Sequence, residues 1–254
     1  MTTPTTYLVT GGNRGIGRAL VQTLLQRTAT IVIAAVRDPS SASSKTLQEL
    51  PRGAGSNLIT IKLDSSISTD ATEAVAQLQT EHGLSSIDVV IANAGIAVGG
   101  APVRQTTAAN IAEHFLVNTT GPVMLFQATA NLLQASKTGS PVFVAISTLI
   151  GSIGSMEARF PSTLCPYGGS KAALNWFVRR LHFEEPWLTS FVFHPGLVDT
   201  ELAQSTVKGS SVKLSDFGVI SIETSVSSMV KTLDNASRET SGTFQNYDGS
   251  TLPW

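Results

Sequence analysis

Tyr167 and Lys171 stand four residues apart, a spacing that on a helix puts both side chains on one face within reach of a shared ligand. A free tyrosine titrates near ~10, so half-ionisation at neutral pH needs about 3 units, or roughly 4 kcal/mol. One ammonium ~4 Å away supplies about that much at an effective dielectric of ~20. The chemistry on offer is proton transfer at an oxygen. Taken alone, the two residues read first as a solvated helix pair, so their meaning depends on what else the chain supplies.

It supplies Thr10-Gly11-Gly12-Asn13-Arg14-Gly15-Ile16-Gly17, directly after an apolar run and opening a helical pattern at Ile16, Leu20 and Leu24. Glycines at 11, 15 and 17 permit a tight turn, close backbone approach to a pyrophosphate at a helix N-terminus, and close helix-to-strand packing. An ordinary glycine-rich turn is the plain alternative, and the position between first strand and first helix argues against it. Arg37 closes the second apolar run, ahead of Asp38. A carboxylate there suits the ribose hydroxyl of NAD, whereas arginine suits the 2′-phosphate of NADP. Arg14 adds a second guanidinium that could flank the same phosphate, which favours NADP(H). The competing reading pairs Arg37 with Asp38 or another surface carboxylate.

Positioning these groups requires a scaffold, and the hydrophobic pattern describes one. Short β-branched, apolar runs recur at residues 7–10, 31–36, 58–63, 87–92, 142–147, 191–194 and 243–246, as strands covered on both faces require. Helix-length segments separate them, for example Ala71, Val75 and Leu78 at helical spacing. Strands joined by crossovers of that length must run mostly parallel, so the expected fold is an α/β, Rossmann-like, doubly wound sheet in one domain spanning residues 1–254. Residues 38–56 are the most loop-like stretch, with residues 45–50 expected to be helical.

Composition narrows the function classes. The 17 Lys+Arg against 18 Asp+Glu give a net charge of −1, which leaves no positive excess for nucleic acid or anionic lipid. Hydrophobic residues make up 42% and charged ones 14%, the balance of a globular chain rather than a disordered one. No apolar run approaches the ~18 residues that span a bilayer, and residues 1–6 are polar, so neither a membrane span nor a signal peptide is expected. The single Cys165 excludes an internal disulfide and fits a reducing, cytoplasmic setting. No histidine and carboxylate set has metal spacing, so no metal is expected.

The glycine turn, Asn93-Ala94-Gly95, Asn118, Tyr167-Gly168-Gly169-Ser170-Lys171 and Pro195-Gly196 occur in the order of the short-chain dehydrogenase/reductase family, which the chain resembles over nearly its whole length. The ending, Tyr247-Asp248-Gly249 to Pro253-Trp254, looks like the carbonyl reductase branch. Residues 7–64 look most similar to fungal norsolorinic acid ketoreductase-like enzymes of polyketide pathways. The resemblance implies an NADP-dependent oxidoreductase in which Tyr167 protonates a carbonyl oxygen as NADPH delivers hydride, while Lys171 lowers the tyrosine pKa and bonds the ribose. It also implies cofactor contacts from Gly11, Asn13, Arg14, Gly15, Ile16, Gly17, Arg37, Asp64 at the adenine, Asn93, Ala94 and Gly95 at the ribose, and Pro195, Gly196, Val198 and Thr200 at the carboxamide. The plainer readings are a loop carboxylate or helix cap for Asp64, an Asn/Gly turn at 93–95, and a helix cap for Thr200.

Asn118, within Asn118-Thr119-Thr120-Gly121-Pro122, would complete the family tetrad by supporting a water beside Lys171, although Asn or Thr before Gly-Pro is also a natural helix start. The sequence departs from the family at the substrate-orienting serine, where Thr148 stands with Ser147 beside it. A threonine hydroxyl donates the same bond with a stiffer χ1, and strand parity does not choose between the two. Thr148 lies nineteen residues before Tyr167, farther than the family has it, and the extra residues fall in 152–166. Met156, Phe160, Leu164 and Cys165 in that segment would shape a pocket for a bulky or aromatic ketone, or pack onto the protein itself. Cys165 reads as a bystander thiol, and His182 and His194 as packing or surface residues rather than ligands.

The expected activity is therefore reduction of a ketone on a hydrophobic small molecule. The alternatives are a non-redox cyclase, isomerase or dehydratase on the same fold with bound NADP, and an NADP(H)-sensing binding protein. Pairing of helices around residues 120–136 and 167–182 into a homodimer or homotetramer is a family expectation that the long loop could block.

Overall fold

In the computed structural model, which describes residues 4–156, 164–207 and 214–254, all seven apolar runs become strands of a single sheet. They are β1 (Thr5–Thr10), β2 (Thr30–Val36), β3 (Asn57–Lys62), β4 (Val89–Ala92), β5 (Val142–Ile146), β6 (Thr189–His194) and β7 (Phe244–Asn246). Their order is β3-β2-β1-β4-β5-β6-β7 and every pairing is parallel. Helices α1 (Gly15–Leu25), α2 (Ala42–Lys45), α3 (Asp70–His82), α4 (Ala108–Phe115), α5 (Gly121–Gln134), α6 (Cys165–Glu184), α7 (Glu201–Val207) and α8 (Ile222–Asp234) complete the chain.

Alternation along the strands splits the core in two. Tyr7 and Val9 point into one cluster with Leu20, Leu24, Phe191 and Val230, whereas Leu8 points into the other with Leu78, Leu125, Phe143 and Val178. Both faces are dry, which is why the strands read as continuous apolar runs instead of alternating ones. The strand order reverses between β1 and β4, and a doubly wound sheet opens a crevice at the carboxyl ends of the strands at such a switch point.

Element ends differ from the sequence reading where polar residues earn a place through pairing. β1 begins at Thr5, since Thr5 and Thr6 pair with Thr30 and Ile31 and the Thr6 N–H donates to the buried Asp88 carboxylate at 2.8 Å. Ser147 falls just past the end of β5. In the loop-like stretch the helix starts at Ala42, capped by the Ser41 side chain, ahead of the expected residue 45.

Candidate active site

The glycine turn lies between β1 and α1, at one lip of that crevice. A Cβ on Gly17 would run into the Gly11 carbonyl oxygen and the Asn93 amide, so only glycine lets α1 start this close to the strand end. Gly15 has φ +51°, and outward from it only the Thr200 methyl lies within 4 Å, at 3.8 Å. The result is a backbone cradle at a helix start with open space beside it, which fits a pyrophosphate. Ile16 opens α1 and packs against the core.

Asn93 ties this cradle to β4. Its amide donates to the Thr10 carbonyl at 2.8 Å, and the Asn93 and Ala94 N–H groups both donate to the Thr10 hydroxyl at 3.0 Å. Asn13 reaches outward to Ser43 and Ser44. These serines went unremarked in the sequence because a Ser-rich segment reads as loop. They stand on α2, in the turn that follows Arg37 and Asp38.

The two arginines are not joined by any shared contact among the described residues. Arg14 pairs with Glu201 at the start of α7, 3.1 Å away. Arg37 is exposed and makes no ion pair or hydrogen bond among the described residues, and the Asp38 carboxylate is taken by Ser40 instead. Asp64 accepts from the Ser66 N–H and hydroxyl. Burial would raise its carboxyl, but the Ser66 bonds, Arg37 and Lys62 outweigh that and hold it low. Beyond β6, Pro195 accepts from Ser225 and Gly196 adopts φ +82°. Val198 is buried, and the Thr200 hydroxyl caps α7 by accepting from the Ala203 N–H at 3.2 Å.

At the other lip, α6 carries Tyr167, Lys171 and Asn175 at successive helical turns. Asn175 was missed in the sequence, although its i+4 spacing from Lys171 was a usable signal. Its carboxamide oxygen accepts from the Ser147 hydroxyl at 2.5 Å, and its nitrogen donates to Gly151. Ser147 is thereby committed to the interior. Thr148, extended at φ −159°, accepts from the Ile150 N–H, and its hydroxyl stands near enough to the Tyr167 phenol to lower its pKa. The strand ends at Ile146, ahead of both residues, so parity could not have separated them.

Lys171 is buried and donates to the Ile146 carbonyl at 2.7 Å. Burial draws its ammonium down to about 7. Burial pushes the Tyr167 phenol up to about 12, offset in part by the Thr148 bond. The expected tuning of tyrosine by lysine is therefore not the dominant effect here. Desolvation acts on both groups and favours their neutral forms, so the phenol keeps its proton at neutral pH.

Asn118 does not begin a helix. Residues Leu116–Thr120 form a π-helical segment that joins α4 to α5 without a break, and Gly121-Pro122 continues it. Such widened turns recur at functional sites. Here the turn leaves Asn118 fully buried, accepting from the Ile96 N–H at 2.8 Å and donating to the Ile96 carbonyl and the Ser170 hydroxyl. A Cβ on Gly95 would sit 3.1 Å from Asn118 Oδ1 and 3.5 Å from Lys171 Nζ, so Gly95 lies against both side chains.

Among the described residues no group of three or more His, Cys, Asp and Glu could hold a metal, and no helix is long and apolar enough to cross a membrane. Phe160 lies outside the described residues. Met156 is exposed, Leu164 is buried, and Cys165 opens α6 half-buried. His194 is mostly buried, its Nδ1 accepting from the Leu149 N–H, while His182 stacks edge-on to Phe183.

Residues 5–211 match the family model described as short chain dehydrogenase. A norsolorinic acid ketoreductase of Dothistroma septosporum is 41% identical over 252 residues, covering 98% of this chain and 92% of that protein. A short chain dehydrogenase of Penicillium aethiopicum is 39% identical, covering 99% and 100%. Among solved structures, the NADPH-bound carbonyl reductase from chicken fatty liver superposes with a TM-score of 0.86 at 30% identity and full coverage of both chains.

Proposed function

The chain belongs to the short chain dehydrogenase family, and from that premise we propose that it is an NADPH-dependent ketoreductase acting on a hydrophobic, aromatic ketone of the polyketide kind. The division of the two hydroxyls carries this reading: with Ser147 committed to Asn175, the Thr148 hydroxyl is left to act with the Tyr167 phenol, and two such donors could serve one carbonyl oxygen. The norsolorinic acid ketoreductases among the relatives and the NADPH-bound carbonyl reductase support the cofactor and the ketone.

NADPH would supply a hydride to the carbonyl carbon. The residues to hold it are Gly11, Gly15 and Gly17 at the pyrophosphate, Arg37 at the 2′-phosphate with Arg14 and Asn13 near by, Asp64 at the adenine, Asn93, Ala94, Gly95 and Lys171 at the ribose, and Pro195, Gly196, Val198 and Thr200 at the carboxamide. Thr148 orients the ketone oxygen by donating to it. Tyr167 delivers its proton to that oxygen as charge develops there. The phenol keeps its proton at neutral pH and so is available as the acid in reduction. Lys171, poised near neutrality, takes up a proton readily once an anionic phenolate forms beside it. Asn118 keeps Gly95 and Ile96 against the lysine.

The test mixes purified protein with NADPH and a panel of aromatic and aliphatic ketones, following loss of absorbance of the reduced cofactor together with alcohol formation. Stoichiometric consumption on the aromatic members is expected. Product without net NADPH consumption would establish a non-redox enzyme instead, and cofactor binding with no product would establish a sensor.

A further inference from the structure

Two polar side chains of α4, Asn110 and His114, are not used by the chemistry above, and they continue a row that Asn118 completes in the π-helical segment that follows. The three are spaced four apart, and all reach across to the chain leaving β4. Asn118 holds both backbone groups of Ile96. His114, fully buried, accepts from the Val98 N–H through Nε2 at 3.2 Å, while its Nδ1 meets the Asn110 carbonyl at 2.8 Å. Since Nε2 must be free to accept, the proton belongs on Nδ1, and the ring is the neutral tautomer. The Asn110 amide donates to the Gly99 carbonyl at 2.6 Å.

The loop is shaped for this grip. Gly99 sits at φ +59°, and a Cβ there would stand 2.5 Å from the Asn110 amide nitrogen, so glycine meets both a conformational and a steric demand. Val98 presents its side chain outward, while Ala97 is buried and accepts from Ser205 of α7. The same stretch starts at Gly95, 3.5 Å by its built Cβ from Lys171 Nζ, and reaches Ala101, which bridges to Leu164 just ahead of Tyr167. Residues 96–99 therefore lie between a glycine that faces Lys171 and an alanine that bridges to the residue before α6, strung between α4 and α7.

We infer that His114 and Asn110 are positioning residues that pin residues 96–99 as one wall of the ketone cleft and so set ketone binding rather than the rate of the chemical step. The part concerning the ketone rests on the reduction reading, whereas the pinning itself does not. Each side chain holds a different backbone group of the loop, so removing one loosens its own attachment and leaves Asn118 in place.

Amide hydrogen exchange by mass spectrometry tests the pinning, and steady-state kinetics with 1-tetralone tests its consequence. Removing a hydrogen bond of this kind is a factor of roughly 3–10, so His114→Leu should speed exchange in the peptide spanning residues 94–102 by about that factor. Peptides from β4 and β5 should stay unchanged. The KM for 1-tetralone should rise by a similar factor, with kcat and the KM for NADPH within about 2-fold of the parent. His114→Gln, whose carboxamide can still accept from Val98, should restore both readouts, and Asn110→Ala should move both in the same direction by less. Unchanged exchange at 94–102, faster exchange spread over the sheet, a fall in kcat at constant ketone KM, or a glutamine variant no better than leucine would each overturn the inference. If the parent reduces no ketone while the exchange contrast holds, the reduction reading falls and the pinning stands.

Discussion

Around the turn after β1 the cleft is made of backbone: glycines leave room for a phosphate group, and Asn93 stitches β4 to Thr10 with short bonds. Past the end of β5 it is made of buried side chains, with Ser147 on Asn175, Lys171 under the Ile146 carbonyl, and the Thr148 hydroxyl near the Tyr167 phenol. The backbone side needs no ionised group to keep its shape. On the side-chain side, desolvation favours the neutral forms of both titratable groups and leaves Lys171 poised near neutral pH. Recognition of a common phosphate can rest on geometry alone, whereas proton transfer needs groups displaced from their ordinary titration range, and displacement requires burial.

The contrast breaks most sharply at Tyr167. Tyr167→Phe should cut ketone turnover by roughly 10³–10⁴-fold, the range for loss of a positioned proton donor, with NADPH affinity by fluorescence titration little changed. Retention of turnover would move the proton donor elsewhere. The next effect separates the two hydroxyls. Thr148→Val should slow reduction by ~10²–10³-fold, as loss of one donor to a developing oxyanion does, and Thr148→Ser should keep most of the rate. Ser147→Ala should leave the rate within a few-fold yet lower unfolding stability by about 1–3 kcal/mol, because the buried Asn175 oxygen loses its partner. The reverse pattern would hand the orienting role to Ser147.

On the backbone side the chemistry is confined to discrimination. Arg37→Ala should weaken NADPH about 10-fold while leaving NADH nearly unaffected, since only the former carries the phosphate that a guanidinium would bond. Equal losses for both cofactors would remove Arg37 from that site. A last test is in pH. Folded Lys171 titrates near 7 against an ordinary 10.5, so between those values the unfolded chain binds a proton that the folded one lacks, and stability of the cofactor-free protein rises with pH. Above about 10 the sign reverses for Tyr167, which keeps its proton to about 12 when folded. Urea midpoints from pH 6 to 9 should show a rising limb of at most about 1.4 kcal/mol per pH unit, absent in Lys171→Met. Parallel curves for the two proteins would show that Lys171 is not neutralised by burial.

Legibility followed the same division. The seven strands, their parallel pairing and the glycine turn were readable because each is written in a local run: β-branched residues without polar interruption, or glycines where a Cβ collides. Tyr167 and Lys171 were readable because helical spacing puts them on one face and the glycine turn and Asn93-Ala94-Gly95 earlier in the chain give that face a meaning. The short π-helical segment at Asn118 was not, since Asn-Thr-Thr-Gly-Pro has the composition of a helix start and only the packing of α4 and α5 into one run overrules it. The partner of Arg14 was not readable either, for Glu201 lies 187 residues away.

Sequence by itself determined the fold class, the backbone cradle and which residue types stand ready for proton chemistry, because those depend on neighbours within one helix turn or one strand. Tertiary structure alone decided that Ser147 turns inward to Asn175, that Asn118, His114 and Asn110 grip the chain after β4, and that lysine and tyrosine are both driven toward neutrality. Burial and long-range hydrogen bonds are properties of the packed molecule, and past the end of a strand the direction of a side chain no longer follows the strand's alternation.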